Sequence, residues 1–241
     1  MARAGRPPQD PARRLERAHE ILDAAAELIL RWGYDKTTID DVAKRAGVAK
    51  GTIYLHWKTR DELFAALLRR ERVLLLEEIR AGAPATVSEL FGRFAGTALR
   101  RPLLRAVLLG DSEVLGKLTR MKRHSTTGLE LGGAFGDYIG RLIKHGAVRE
   151  EPGDHVMVIT SIVYGFVHLP DMLPDEARLS DDRIAELVAD TVERAMSTGR
   201  SLPAEDARAV ARATLDFLDA MEEVARGKLA VSLGTAKERV R

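Results

Sequence analysis

Between Ala12 and Gly33, apolar residues fall at Leu15, Ala18, Leu22, Ala25, Ile29 and Trp32. These three- and four-residue steps put them on one side of an α-helix, and Gly33 stops it. Thr38 is placed to cap a short helix over Ile39 to Ala46, with Asp40 and Asp41 in the first turn, where the helix dipole favours carboxylates. Gly47 closes that helix by supplying the left-handed conformation of a tight turn. A second short helix is predicted from about Ala49 to Trp57. A long one follows from Thr59 or Arg60, with apolar residues at 63, 64, 67, 68, 74, 75 and 79. Beyond the break GAPAT, further helices are predicted near 87–100, 102–110, 111–122, 125–145, 153–170, 181–198 and 204–226. No segment alternates apolar and polar residues with β-branched enrichment over five positions, so the predicted fold class is all-α.

The stretch IDDVAKRAGVAKGTIYLHW narrows the picture. Ile39, Val42, Ala43, Val48, Ile53 and Trp57 form an inward set, and two helices of about two turns joined at Gly47 match a helix-turn-helix unit. On the second helix Ile53 and Trp57 share one side. Gly51, Thr52, Tyr54 and Leu55 point away from it, with Lys50 and His56 on the borders. That outer face suits DNA. Lys50 can donate to a guanine edge or to phosphate, Thr52 can bond either, Gly51 allows close backbone approach, and Leu55 can touch a thymine methyl. Tyr54, His56 and Lys58 are phosphate anchors. The same pattern, taken alone, also fits a helical corner with an ordinary polar outside.

ILDAAAELILRWGYDKTTIDDVAKRAGVAKGTIYLHWKTRDELFAALL resembles the N-terminal domain of the TetR family of transcriptional regulators over residues 15–68. The likeness lies in the GY..TTI entry to the second helix, the VAKRAGVAKGTIY helix-turn-helix and the HWKTRDEL opening of the fourth helix. It implies a three-helix DNA-binding head, a helical body that binds a small-molecule effector and dimerises, and repression relieved by that effector. Carried over position by position, the DNA-facing residues are Thr38, Lys50, Gly51, Thr52, Tyr54, Leu55, His56 and Lys58. Ala49 departs from the serine common at its position, which removes a helix cap or a phosphate contact. The implied division is an arm over 1–14, a head over 15–60, a body over 61–226 and a basic tail over 227–241. Activation, or DNA binding without sensing, would use the same head.

Arg3, Arg6, Arg13 and Arg14 lie in an N-terminal segment loosened by Pro7, Pro8 and Pro11. An arm of this kind can enter the minor groove beside a major-groove helix; a solubilising tail is the alternative. One helix-turn-helix makes few contacts, so a homodimer on a palindromic double-stranded operator is expected. Its interface is placed on DHVMVITSIVYGFVHL, at Val156, Ile159 and Val163, and on the stripe Ile184, Leu187, Val188, Thr191 and Ala195. Helix 204–226 either extends that interface or covers the body. Phe94, Leu104, Leu108, Met121, Phe135, Tyr138, Tyr164 and His168 are the candidate lining of an apolar effector pocket. The apolar helices offer little buried charge, so a hydrophobic or amphipathic effector is expected. Glycines every four residues at 128, 132, 136 and 140, and at 92 and 96, each disfavour helix by about 0.8–1 kcal/mol against alanine. They imply close helix approach or a break.

Charge fits this division. Residues 1–60 carry 12 Lys or Arg against 8 Asp or Glu, a surplus of four, whereas the remaining 181 carry 26 against 28. A basic head on a slightly acidic body points to an anionic partner for the head. With no cysteine, disulfides and thiolate metal sites are excluded. The six histidines show no HExxH spacing, and no GxSxG or phosphate-binding glycine loop occurs. No enzyme activity, metal or cofactor is therefore expected. The segment 156–169 is too short to span a bilayer and the N-terminus has no apolar run, so a soluble cytoplasmic protein, held at the nucleoid when bound to operator, is expected.

Overall fold

The computed structural model describes residues 10–115, 127–151, 153–172, 174, 176 and 178–236. The helices are α1 Pro11–Trp32, α2 Ile39–Arg45, α3 Lys50–His56, α4 Arg60–Ala81, α5 Val87–Leu99, α6 Pro102–Leu109, α7 Ser112–Leu115, α8 Thr127–Lys144, α9 His155–His168, α10 Asp181–Met196 and α11 Ala204–Ser232. A 3-10 turn, Leu169–Met172, follows α9. The fold is all-α: the extended pairing found among the described residues is one bridge between Val148 and Ser197. No helix among them is long and apolar enough to cross a membrane.

Side-chain caps set several boundaries. Asp10 accepts from the Ala12 N–H and starts α1, Thr59 accepts from Glu62 and starts α4, Thr86 accepts from Glu89 and starts α5, and Ser180 accepts from Arg183 and starts α10. Each satisfies a first-turn donor that would otherwise be orphaned. The cap at Asp10 shortens the predicted arm, because Arg13 and Arg14 belong to the first turns of α1.

In the body, α10 lies along α5 in the most extensive helix contact of the fold. Glycine makes this possible. A Cβ at Gly92 would lie 2.8 Å from the Ala189 Cβ, and one at Gly96 would lie 3.1 Å from the Ala185 Cβ. Close approach therefore belongs to the glycine pair on α5. On α8 the expectation fails at Gly136 and Gly140, where an added Cβ would meet nothing within 4 Å.

The last helix is longer than predicted. It runs to Ser232 and buries Leu229, with Leu233 buried just beyond its end, so residues 227–233 pack into the fold instead of forming a tail. It lies antiparallel along α4: Arg80 pairs with Asp219 at 2.5 Å, Arg226 with Glu77 at 2.8 Å, and Arg69 donates to the Ser232 hydroxyl. Helix α11 thus packs along α4 and α8 of the body.

Candidate nucleic-acid interface

The reading surface is built on a buried floor. Ile53 of α3 and Trp57, which caps its C-terminus, are buried with Ile39, Val42 and Ala43 of α2 and Ile21, Leu22, Ala25 and Leu28 of α1. Burying one face of a seven-residue helix fixes its other face, since so short a helix is not stable alone. Helix α2 is held at its start by a reciprocal cap. The Thr38 hydroxyl oxygen accepts from the Asp41 N–H at 3.2 Å, and the Asp41 carboxylate accepts from the Thr38 N–H at 3.0 Å. Gly47 makes the turn at φ 65°. Ala49, the N-cap of α3, makes no side-chain capping bond, as its identity requires.

The predicted DNA-facing residues come together on one surface. Gly51, Tyr54 and Leu55 are exposed, Leu55 at 63%, a high value for a leucine with a whole domain to pack against. Thr52 is half-buried. Lys50 is exposed and its ammonium meets Asp40 of α2 at 2.8 Å. Lys58 follows α3 with its side chain exposed, while its backbone N–H donates to Glu62 at 2.7 Å. His56 is half-buried with its Nδ1 out of water and unbonded among the described residues. Burial, reinforced by the nearby Arg14 guanidinium, holds its imidazole below the usual histidine range. Arg14 also donates to the Leu55 carbonyl at 3.3 Å, joining α1 to the end of α3. Arg13 is exposed, and Arg6 lies outside the described residues.

Several residues that tie this surface to the body were not singled out by the sequence. Tyr34 is buried with its ring edge-on to Phe64, centroids 5.0 Å apart, and beneath the Arg60 guanidinium at 4.2 Å. Its hydroxyl donates to Asp61, and burial together with that carboxylate pushes the phenol up to about 12. Its N–H donates to the Val114 carbonyl of α7 at 2.8 Å. Arg70 of α4 is buried and spans to α1, meeting Asp23 at 2.8 Å and the His19 carbonyl at 3.2 Å. A tyrosine in a GY dipeptide and an arginine in an arginine-rich helix carry no spacing signal, which is why periodicity passed over them.

The body candidates divide. Phe94, Phe135 and Tyr138 belong to an aromatic cluster completed by Phe91 and Phe217, where Tyr138 stacks on Phe217 at 4.8 Å and bonds Thr214 at 3.0 Å. Leu104 is buried and Leu108 half-buried on α6. Tyr164 is exposed, 4.1 Å from the His168 ring, whose Nε2 is buried and unbonded among the described residues. Met121 lies outside the described residues. A separate open cleft of about 410 Å³ lies between α1, α4 and α6, lined by Leu30, Glu71, Glu78, Arg101 and Leu103 among others.

Four of the residues expected at a dimer interface lie inside this chain, and Val156 is exposed. Ile159, Val163, Ile184 and Val188 are core residues of this one chain, and Leu187, Thr191 and Ala195 are half-buried. The side of α9 that faces outward carries Val156, Met157 and Tyr164, continued by Leu169 and Met172, all exposed. Because α9 is apolar nearly all round, its sequence could not tell inner from outer side.

The family model for bacterial regulatory proteins of the tetR family matches residues 21–67. An HTH-type transcriptional repressor of Mycobacterium tuberculosis is 34% identical over 101 residues, 42% of this chain and 54% of the relative. The HTH-type transcriptional activator FasR of Mycolicibacterium smegmatis is 34% identical over 84 residues, 35% of this chain and 36% of its own length. The fatty acid metabolism regulator protein of Bacillus subtilis is 37% identical over 60 residues, 25% of this chain and 31% of that protein. The chain therefore spans about half or less of the length of these relatives. Among solved structures, SmeT, the repressor of the Stenotrophomonas maltophilia multidrug efflux pump SmeDEF, superposes with a TM-score of 0.50 over 78% of this chain and 94% of its own, at 20% identity. That likeness is one of fold.

Proposed function

We propose, from the match of residues 21–67 to the family model for bacterial regulatory proteins of the tetR family, that the protein is an effector-responsive transcriptional repressor. In this reading it acts as a homodimer on a palindromic operator. The observation that carries it is the exposed row Lys50, Gly51, Tyr54, Leu55 and Lys58 standing on the buried Ile53 and Trp57. A helix with this face can enter a major groove while Thr38, at the start of α2, and Lys58 hold phosphates on either side. Arg13 and Arg14 extend the basic surface from α1.

Release follows from the connections of α4. The helix begins in the head with Arg60 and Asp61 around Tyr34, bonds α1 through Arg70, and continues into the body, where Glu71 and Glu78 hold Arg101 at 3.2 and 3.4 Å. An effector that favours a second packing of the body displaces α4 and with it the head. Coupling of this kind is typically about 1–3 kcal/mol, enough for a several-fold to hundred-fold loss of operator affinity.

The test is selection from a random duplex pool with wild type beside a Tyr54→Ala, Lys58→Ala double variant. Enrichment of a palindrome by wild type alone supports the reading. Equal enrichment by both, or none by either, would sink it.

A further inference from the structure

Helix α3 is seven residues long and its start is bare, since Ala49 makes no side-chain capping bond. So short a helix has little stability of its own, and what holds its ends decides how firmly its outer face is presented. At the C-terminal end the Leu55 carbonyl, in the last turn, where carbonyls lack a partner within the helix, accepts from the Arg14 Nη2 at 3.3 Å. The base of that side chain is itself fixed, because the Arg14 N–H donates to the Asp10 carbonyl at 3.0 Å in the capped start of α1.

A cation at the start of α1 is disfavoured by its own helix dipole, and the first turn holds no acidic residue to offset it. Two other helix ends supply the offset. One is the end of α3. The other is the end of α11, where Gly234 turns the chain at φ 69°. There the Gly234 N–H donates to the Val231 carbonyl at 3.1 Å and the Thr235 N–H to the Ala230 carbonyl at 2.9 Å, the bond pair of a glycine-terminated helix. A Cβ built on Gly234 would lie 3.7 Å from the Arg14 Nη2. The guanidinium thus stands at the negative ends of two helices. The end of α11 is held in turn by buried Leu229 and Leu233 and by the bond from Arg69 of α4 to Ser232. The same helix carries Thr214 and Phe217 into the aromatic cluster of the body.

We propose that Arg14 is a positioning residue for DNA reading: seated at the end of α11, its guanidinium steadies α3 and ties the reading face to a helix that begins in the body. The inference rests on the reading of α3 as the DNA-reading helix and changes the part Arg14 plays in it. The side chain acts through α3 and not on a phosphate. It also adds α11 to α4 as a connection between body and head.

The experiment measures, on the full chain, amide hydrogen exchange and the affinity for the selected duplex as a function of salt. In Arg14→Met the amides of Tyr54, Leu55, His56 and Trp57 are expected to exchange at least about threefold faster, with those of α5 and α10 unchanged. Affinity should fall about three- to tenfold, as loss of one charge-assisted bond allows, while the slope of log affinity against log salt stays at its wild-type value. Arg14→Lys keeps a donor and the charge and should recover most of both. Gly234→Asp sets a carboxylate beside the guanidinium and should draw it from the neutral Leu55 carbonyl, loosening α3 as Arg14→Met does. In a chain carrying both changes Gly234→Asp should add nothing. Gly234→Asn, which tolerates the left-handed backbone without a charge, should exchange like wild type. Wild-type exchange from α3 in Arg14→Met overturns the proposal. So does a slope shallower by about 0.9 for each head bound, the mark of a lost phosphate contact. Equal loosening by Gly234→Asp with and without Arg14 overturns the link to α11. Faster α3 exchange in Arg14→Met, with no duplex selected by wild type, removes the DNA reading and keeps the tie between α11 and α3, so the two failures are distinct.

Discussion

At the scale of single residues, two glycines of the same spacing class have opposite meanings. Gly92 lets α5 approach α10 so closely that a methyl group would sit 2.8 Å from the Ala189 Cβ and 3.1 Å from the Ala185 carbonyl oxygen. Backbone cannot yield as a flexible side chain would, so Gly92→Ala should destabilise the protein by about 1–3 kcal/mol. Gly136, in open space on α8, should do the reverse, with Gly136→Ala gaining about 0.5–1 kcal/mol from helix propensity. Urea unfolding of the two variants checks both signs at once. His56 supplies a pH dependence. Its folded imidazole titrates below its unfolded range, so across that window the unfolded chain binds more protons. Stability is thus fully present above about pH 6.5 and is lost as pH falls toward the lowered folded value. His56→Gln should flatten the dependence of the thermal midpoint on pH between about 7 and 5.5.

At the scale of elements, the head was legible because its signals are local. Thr38 with Asp41, Gly47, and the buried pair Ile53 and Trp57 each announce a boundary or a face within a few residues, and the helices begin and end where those residues stand. Thr38→Ala should cost the fold about 1 kcal/mol by removing the cap of α2. What the local pattern left unread is how neighbouring helices restrain the reading face. Lys50 carries an exposed charge suited to DNA, yet it is held by Asp40 at 2.8 Å, a pairing across two helices that no periodicity contains. In the proposed complex DNA would break that pair and also meet the carboxylate of Asp40. Asp40→Asn is therefore expected to tighten DNA binding several-fold at low salt, with the gain shrinking as salt rises. A titration of affinity against salt concentration in both proteins measures it, and unchanged affinity would mean that Lys50 stays off the duplex. Helix α9 shows the opposite limit. A segment apolar on every side has no phase to read, so which of its residues face the core emerged only from its packing against α10, α6 and α5.

At the scale of the molecule, that packing bears on where the proposed homodimer would form. Ile184 and Val188 already have α5 as their partner, and Ile159 and Val163 are buried within the same chain. A second copy cannot reach them without unfolding the first. The outer side of α9 and the turn after it present Val156, Met157, Tyr164, Leu169 and Met172, with Met157 exposed at 67% and Met172 at 79%. Five large apolar side chains in one contiguous segment are more than isolated surface hydrophobes, and such patches usually mark an interface. Meeting its own copy about a two-fold axis would bury them twice over, as isologous contacts do. Met157→Glu is then expected to convert a dimer to a folded monomer in sedimentation equilibrium, with the thermal unfolding of the protomer still cooperative. Operator affinity should fall with it, because each half-site would be read by a single head. Ile159→Glu, two residues away but facing inward, should instead unfold the chain by placing an unpaired carboxylate in the core. Should Met157→Glu remain a dimer while Ile159→Glu stays folded, the assignment of inner and outer faces on α9 would be reversed.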